Sequence, residues 1–312
     1  MTDTGGIDDK GFNASAWAGM QEAQNAGAAK VKYVTSQSED DYVPNLANLV
    51  AQKCDLITTV GGLMAQATAD SSKGNPSQKY AIVDSAGNGK NIRGLQFNAA
   101  QSSFLGGYLA ASYSKSEKVA TYGGMNVGPV TTFMDGFWEG VQYYNKRKHA
   151  DVQVLGWNEK TRRGVFAGGF NDQTKGQQLA TNFAQQGADV VFPVAGATGL
   201  GTAAAAKSSN GKYSVLWVDV DGCKAVPQYC SVFLSTVFRD VTAAVRKAVV
   251  DGSKGQATSR DFVGTLANKG TGLSPFHDFE SKVDAKVKAE LNQIRASIID
   301  GSIKITSPSQ PK

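Results

Sequence analysis

Histidine is almost missing from these 312 residues, with only His149 and His277 present. Both stand in polar surroundings, so a histidine-rich metal centre or a Ser-His-Asp triad has little to build on. The GxSxG elbow, the HExxH helix and the glycine-rich loop ending in Lys-Ser/Thr are also absent, which removes the usual signatures of hydrolase, metalloprotease and NTPase chemistry. No apolar run approaches the length needed to cross a bilayer. No stretch rich in Pro, Gly and Ser divides the chain, so a freely tethered pair of domains is not expected. The opening Met1-Thr2-Asp3 carries neither a charged segment nor an apolar one, and a glycine-rich turn follows where an α/β domain normally places its first strand. The expectation is that an export signal has been removed and that residues upstream of Met1 are missing.

Charge of one sign is not concentrated anywhere. The net charge is +5, but the densest basic run is only Lys146-Arg147-Lys148-His149, which reads as solvated surface rather than a nucleic-acid track. Of three cysteines, Cys54 stands alone before an apolar run, whereas Cys223 and Cys230 bracket a short proline-containing loop. That spacing suits a disulfide if the loop doubles back, and two unrelated buried thiols remain the alternative. A disulfide implies an oxidising compartment.

What is present is repetition. Short β-branched runs lead into glycine turns and then Ala-rich helical stretches, the pattern of parallel βα units. The segment CDLITTVGGLMAQATADSSKGNPSQKYAIVDSAGN from Cys54 reads in register with ADVVFPVAGATGLGTAAAAKSSNGKYSVLWVDVDG from Ala188. An earlier pair, from Gly5 and from Gly123, agrees down to Trp-x-Gly-x-Gln at Trp17 and Trp138. A repeat this long that occurs only twice describes a duplicated α/β domain, not a solenoid. Two doubly wound parallel-sheet lobes follow, expected at residues 1–116 plus about 238–265, and 117–237 plus about 266–312. An amphipathic helix over 240–251 and a final helix over about 283–299 cross back late, so several strands rather than one linker form the hinge.

Open α/β sheets bind ligands beyond the carboxyl ends of their strands. In this sequence those positions hold Asp3, Asp9, Phe12, Asn13, Gly62 and Asp84 in the first lobe, and Met125, Phe192, Gly196 and Asp219 in the second. Phe12 lies in a polar loop and Phe192 closes a strand before a glycine turn, so the two are candidates to sandwich a flat ring; Phe170, Trp17 and Trp217 need the same sorting between core and platform. Asp219 at a strand end suits a vicinal diol. Asp3, Asp8 and Asp9 lack the ligand ladder of a calcium loop, and Lys10 competes, so acceptors for ligand N–H or O–H groups fit better than a metal. The loop Gly196 to Gly201 has the context of a dinucleotide turn without its spacing. No cofactor is expected.

Several motifs together resemble a known family. TDTGGIDDKGFNASAWAGMQ at Thr2, YAIVD at Tyr80, VATYGGM at Val119, FMDGFWEGV at Phe133, GGFNDQTKGQQLA at Gly168, GADVVFPVAGATGLG at Gly187 and GTGLSPF at Gly270 are similar, in order, to the basic membrane protein family of ABC-transporter substrate-binding lipoproteins, which includes purine nucleoside receptors. The resemblance implies a periplasmic-binding-protein type I fold, an extracytoplasmic monomer tied to the membrane by a lipid anchor that this chain lacks, and permease subunits as partners. It places Asp3 and Asp9 on the purine edge, Phe12 and Phe192 as the stacking pair and Asp219 on the ribose. One departure stands out: nucleoside-binding members carry Lys before Arg after the second lobe, and this chain has Phe238 before Arg239. The expected activity is therefore capture of a nucleoside without catalysis; the competing readings are a flavin or sugar receptor, a signalling sensor, and an enzyme built on the aspartates.

Overall fold

The computed structural model describes residues 1–256 and 259–311; positions 257, 258 and 312 fall inside the expected lobe ranges but outside the described residues. The chain divides into two compact units, Met1–Phe97 with Asp240–Gly264, and Asn98–Arg239 with Thr265–Gln310. Each has its own buried apolar cluster.

The first unit runs α1 (Phe12–Asn25), α2 (Tyr42–Ala51), β1 (Leu56–Val60), α3 (Ala65–Gly74), β2 (Lys79–Val83) and β3 (Ile92–Phe97). The second begins with α4 (Ala99–Tyr113), β4 (Lys118–Gly123), α5 (Gly128–Lys148) and β5 (Gln153–Leu155), continues through a small hairpin of β6 (Trp157–Asn158) and β7 (Arg163–Gly164), and then adds α6 (Gln173–Gln185), β8 (Val190–Val194), α7 (Gly199–Ser208), β9 (Ser214–Asp219), α8 (Gly222–Ala225) and β10 (Phe233–Arg239). The chain returns to the first unit for α9 (Val241–Ser253) and β11 (Phe262–Gly264), and to the second for β12 (Thr271–Leu273) and α10 (Ala285–Ile299).

Both main sheets are built from parallel pairs. The first unit's order is β1-β2-β3-β11, every pair parallel. The second unit's order is β5-β4-β8-β9-β10-β12, parallel except for the closing β10/β12 pair. Strands such as VVFPV and SVLWVD are buried along their whole length, as parallel strands covered on both faces must be. The sequence repeat is real in three dimensions: β1, the glycine turn, α3 and β2 correspond in order to β8, its glycine turn, α7 and β9.

The expected boundary at 116/117 lies one helix too late. Helix α4 belongs to the second unit because it lies against α5 at backbone distance. A Cβ at Gly107 would stand 2.0 Å from the Phe137 carbonyl oxygen, and one at Gly136 would stand 2.2 Å from that of Ala100. Twelve of the fifteen residues of α4 are buried there, including Phe104, Tyr108 and Leu109. Small residues spaced along both helices set that approach, and hydropathy alone does not reveal which unit a helix without a distinct apolar face joins.

Cys223 and Cys230 form a disulfide, with Cα atoms 4.5 Å apart. Among the described residues no helix is long and apolar enough to cross a membrane.

Candidate functional site

In the first unit the predicted residues converge on Asn13. Its Nδ2 donates to Asp3 Oδ1 at 2.7 Å and to Asp9 Oδ2 at 3.2 Å. Both neighbours are carboxylates, which fixes the amide's orientation: the nitrogen must face them and the carbonyl oxygen must face away. That oxygen, Asn13 Oδ1, is buried and has no hydrogen-bond partner among the described residues.

Asp9 also finishes α1. The helix starts behind Gly11, which offers no side-chain cap, and Asp9 fills that role by accepting from the backbone N–H of Asn13 at 2.8 Å and of Ala14 at 3.0 Å. A carboxylate there satisfies first-turn amides and complements the helix dipole. Helix capping thus holds Asn13 in place.

Asp3 is held against β1 by a glycine. Gly61, the residue after Val60, has φ 127°, and a Cβ on it would come 2.7 Å from Asp3 Oδ2. The close approach therefore requires Gly61, and the neighbouring Gly62 begins a short 3-10 turn. Asp3 accepts from Gly5 N at 3.1 Å. Its pKa is nonetheless raised to about 6, chiefly because burial disfavours the charge; the bonds from Asn13 and Gly5 oppose this, and the charges of Asp9 and Asp84 add to it. Asp84 follows β2 in left-handed backbone, φ 66°. Phe12, half-buried, packs its ring against the first unit's core beside this cluster.

In the second unit Asp219 ends β9 with the same left-handed backbone, φ 69°. Arg239 locks it: Nε and Nη2 lie 2.8 and 2.6 Å from Asp219 Oδ1, and both side chains are almost fully buried. The guanidinium lies 4.9 Å from the centre of the Phe133 ring. Phe238, half-buried, pairs in register with Asp219 across β9 and β10 and lies over Gly272 of β12. Met125 is half-buried just past β4, and Gly196, at φ 54°, makes the turn after β8.

One expected residue is corrected. Phe192 is wholly buried, with its ring 5.3 Å from that of Phe137 and 6.3 Å from that of Phe133. Side chains alternate along a strand, and position 192 in β8 points into the core, so this ring has no face for a ligand. The aromatic at the strand ends is Phe170. Its ring sits where a Cβ on Gly124, after β4, would meet it at 2.3 Å, its Cβ lies 3.4 Å from the same point on Gly196, and its carbonyl accepts from Thr198 N at 2.9 Å. The signal was available: Phe170 stands in a glycine-flanked loop just before Asp172, which caps α6 by accepting from Lys175 N. Arg239 was missed as Asp219's partner because the ion pair depends on strand pairing, which neither residue announces alone.

The architecture is that of a type I solute-binding protein: two α/β units with polar residues gathered at the carboxyl ends of parallel strands. A solute-binding protein of an ABC transporter system from Aeropyrum pernix K1 has the same fold, with a TM-score of 0.89, 24% identity, and coverage of 98% of this chain and 92% of that one. The chain belongs to the Bmp family, described as ABC transporter substrate-binding protein PnrA-like, which it matches over residues 1–307. It is similar to the CD4+ T-cell-stimulating antigen of Listeria monocytogenes, 32% identical over 100% of this chain and 87% of the relative. It is also similar to the ABC transporter nucleoside-binding protein BmpA of Lactococcus lactis, at 29% identity over 99% and 88%. The protein is accordingly an extracytoplasmic substrate-binding component that serves membrane permease subunits, and not an enzyme.

Proposed function

We propose that the small molecule captured is a purine nucleoside, delivered to the permease. Asn13 Oδ1 is the observation that carries this reading: it is buried with no partner among the described residues, which costs about 1–3 kcal/mol unless a ligand donor meets it. Asp3 and Asp9 hold the amide from its nitrogen side, so this oxygen is turned toward a ligand edge that presents N–H donors, as the amino and ring N–H groups of a purine do. Phe12, beside the Asn13 cluster, supplies an apolar face for a flat base, which favours a heterocycle over a free sugar. Asp219, oriented by Arg239, is the acceptor for ribose hydroxyls. The family relative from Lactococcus lactis is named as nucleoside-binding, which supports the same class. The protein acts as a monomer, with a lipid anchor tethering it to the membrane.

Isothermal titration with adenosine, guanosine, inosine and uridine tests the reading. Purine nucleosides should bind with measurable heat and Asn13→Ala should lose most of it. Heat with ribose or a flavin but with no nucleoside would overturn the assignment, as would mass spectrometry of the denatured protein releasing a bound molecule of another class.

A further inference from the structure

The loop after β9 gathers four metal-ligating side chains that the nucleoside site does not use. Asp221 starts α8 by accepting from Cys223 N at 3.2 Å. His277, from a distant part of the second unit, reaches back to it, with Nε2 3.0 Å from both carboxylate oxygens. A carboxylate oxygen of Asp221, the Sγ of Cys223 and a ring nitrogen of His277 all lie within 4.8 Å of one another. Cys230, bonded to Cys223, brings a fourth donor atom next to this group though outside its 4.8 Å circle. The side chains of His277 and Asp221 are 27% and 16% exposed, so an ion can reach them from solvent.

While the disulfide is closed the cluster is no metal site, because a bridged sulfur is not a thiolate and two ligands remain. Reduction changes the donor set. A dithiol attacks the bridge by exchange, two electrons pass to the protein sulfurs, both are released as thiols, and the reductant leaves as its own cyclic disulfide. Two thiolates, one imidazole nitrogen and one carboxylate oxygen then make a four-coordinate set of the kind that holds a divalent, borderline-soft cation. Each thiol gives up its proton to solvent as the ion binds. Lys224 is a competing cation, 3.7 Å from Asp221 Oδ2, and its side chain is 79% exposed and free to swing away.

We propose that Asp221, Cys223, Cys230 and His277 form a redox-gated site for Zn²⁺ or a similar ion, mutually exclusive with the disulfide. Either state closes the loop that follows Asp219: a covalent bridge under oxidising conditions, a bound ion under reducing ones. The loop's geometry is thereby kept in both environments.

The probe is Co²⁺, followed by displacement with Zn²⁺, on a Cys54→Ser background so that the remaining thiol does not contribute. Protein reduced with a dithiol and desalted without oxygen should take up one equivalent of Co²⁺, with the intense visible bands of tetrahedral coordination and a thiolate charge-transfer band. Oxidised protein should show neither. His277→Ala and Asp221→Asn should each weaken binding by about tenfold or more and alter the visible bands, and Cys223→Ser with Cys230→Ser should abolish them. The proposal is overturned if reduced and oxidised protein give the same spectrum, or if the His277 and Asp221 variants match the parent. Should reduction unfold the chain, far-UV circular dichroism decides: recovery on adding Zn²⁺ supports the site and failure to recover overturns it.

Discussion

The ends of β2 and β9 occupy equivalent places in the repeat, yet they handle charge in opposite ways. Both end in an aspartate with left-handed backbone, Asp84 at φ 66° and Asp219 at φ 69°. In the second unit Arg239 neutralises the carboxylate directly, through two contacts under 3 Å on one oxygen. In the first unit the acidic cluster of Asp3 and Asp9 is held by an amide and by backbone N–H groups, and Asp3 is pushed up to about pKa 6. Duplication has thus kept a backbone shape while the side chains on it diverged. The second unit offers a charge already balanced within the protein, and the first offers Asn13 Oδ1, a buried acceptor with no partner among the described residues.

The largest expected effects come from the second unit's packing. Phe192→Ala should cost about 3–5 kcal/mol in stability because a fully buried ring is removed from between Phe133 and Phe137. Arg239→Met should cost a similar amount, about 3–5 kcal/mol, since it leaves Asp219 buried and unpaired. Phe12→Ala, at a half-buried position, should cost far less stability and instead weaken nucleoside binding. Chemical denaturation of the three variants, read beside titration calorimetry, checks the contrast. If Phe192→Ala left stability untouched and abolished binding, the core assignment of that ring would fail.

A smaller effect isolates the first unit. A ligand N–H bonded to Asp3 requires the carboxylate, so below about pH 6 binding must first expel a proton. Affinity should then fall by about tenfold per pH unit, or about 1.4 kcal/mol. The sign for stability is opposite: a carboxyl whose folded pKa is raised favours the folded state at low pH, so its contribution declines as pH rises from about 4 to 6 and is level beyond. Asp3→Asn should flatten both profiles. Parallel pH titrations of affinity and of melting temperature decide it, and an unchanged affinity profile in the variant would assign the dependence to another group.

Much of this was legible in the sequence for physical reasons. Parallel strands announce themselves as continuous apolar runs, and a duplicated domain shows itself as a repeat, so β1 could be matched with β8 and β2 with β9 from the sequence alone. Asp3, Asn13 and Asp219 follow from standing at strand ends or beside a glycine turn. What was not legible depends on which way a side chain points. Phe192 and Phe170 both lie near glycine pairs or turns, the first before one and the second after Gly168-Gly169, and only the pleat of β8 decides that the first is core. The boundary shifted by one helix for a related reason: α4 has no distinct apolar face, and the glycines of α5 that receive it are far away in sequence.

Phe238 gives the smallest effect and the sharpest comparison. It pairs in register with Asp219, so a cation at this position would stand beside the carboxylate proposed to hold ribose. Its ring now covers Gly272, packing that a lysine stem retains only in part. Phe238→Lys should therefore lose a little stability and tighten nucleoside binding by roughly tenfold or less, about 1 kcal/mol for a partly exposed charge-assisted hydrogen bond. The gain must depend on the sugar. Titration with a nucleoside and with its free base separates the cases: a gain confined to the nucleoside places ribose at the second unit, whereas an equal gain for both would move the sugar away from Asp219 and leave that aspartate as Arg239's structural partner.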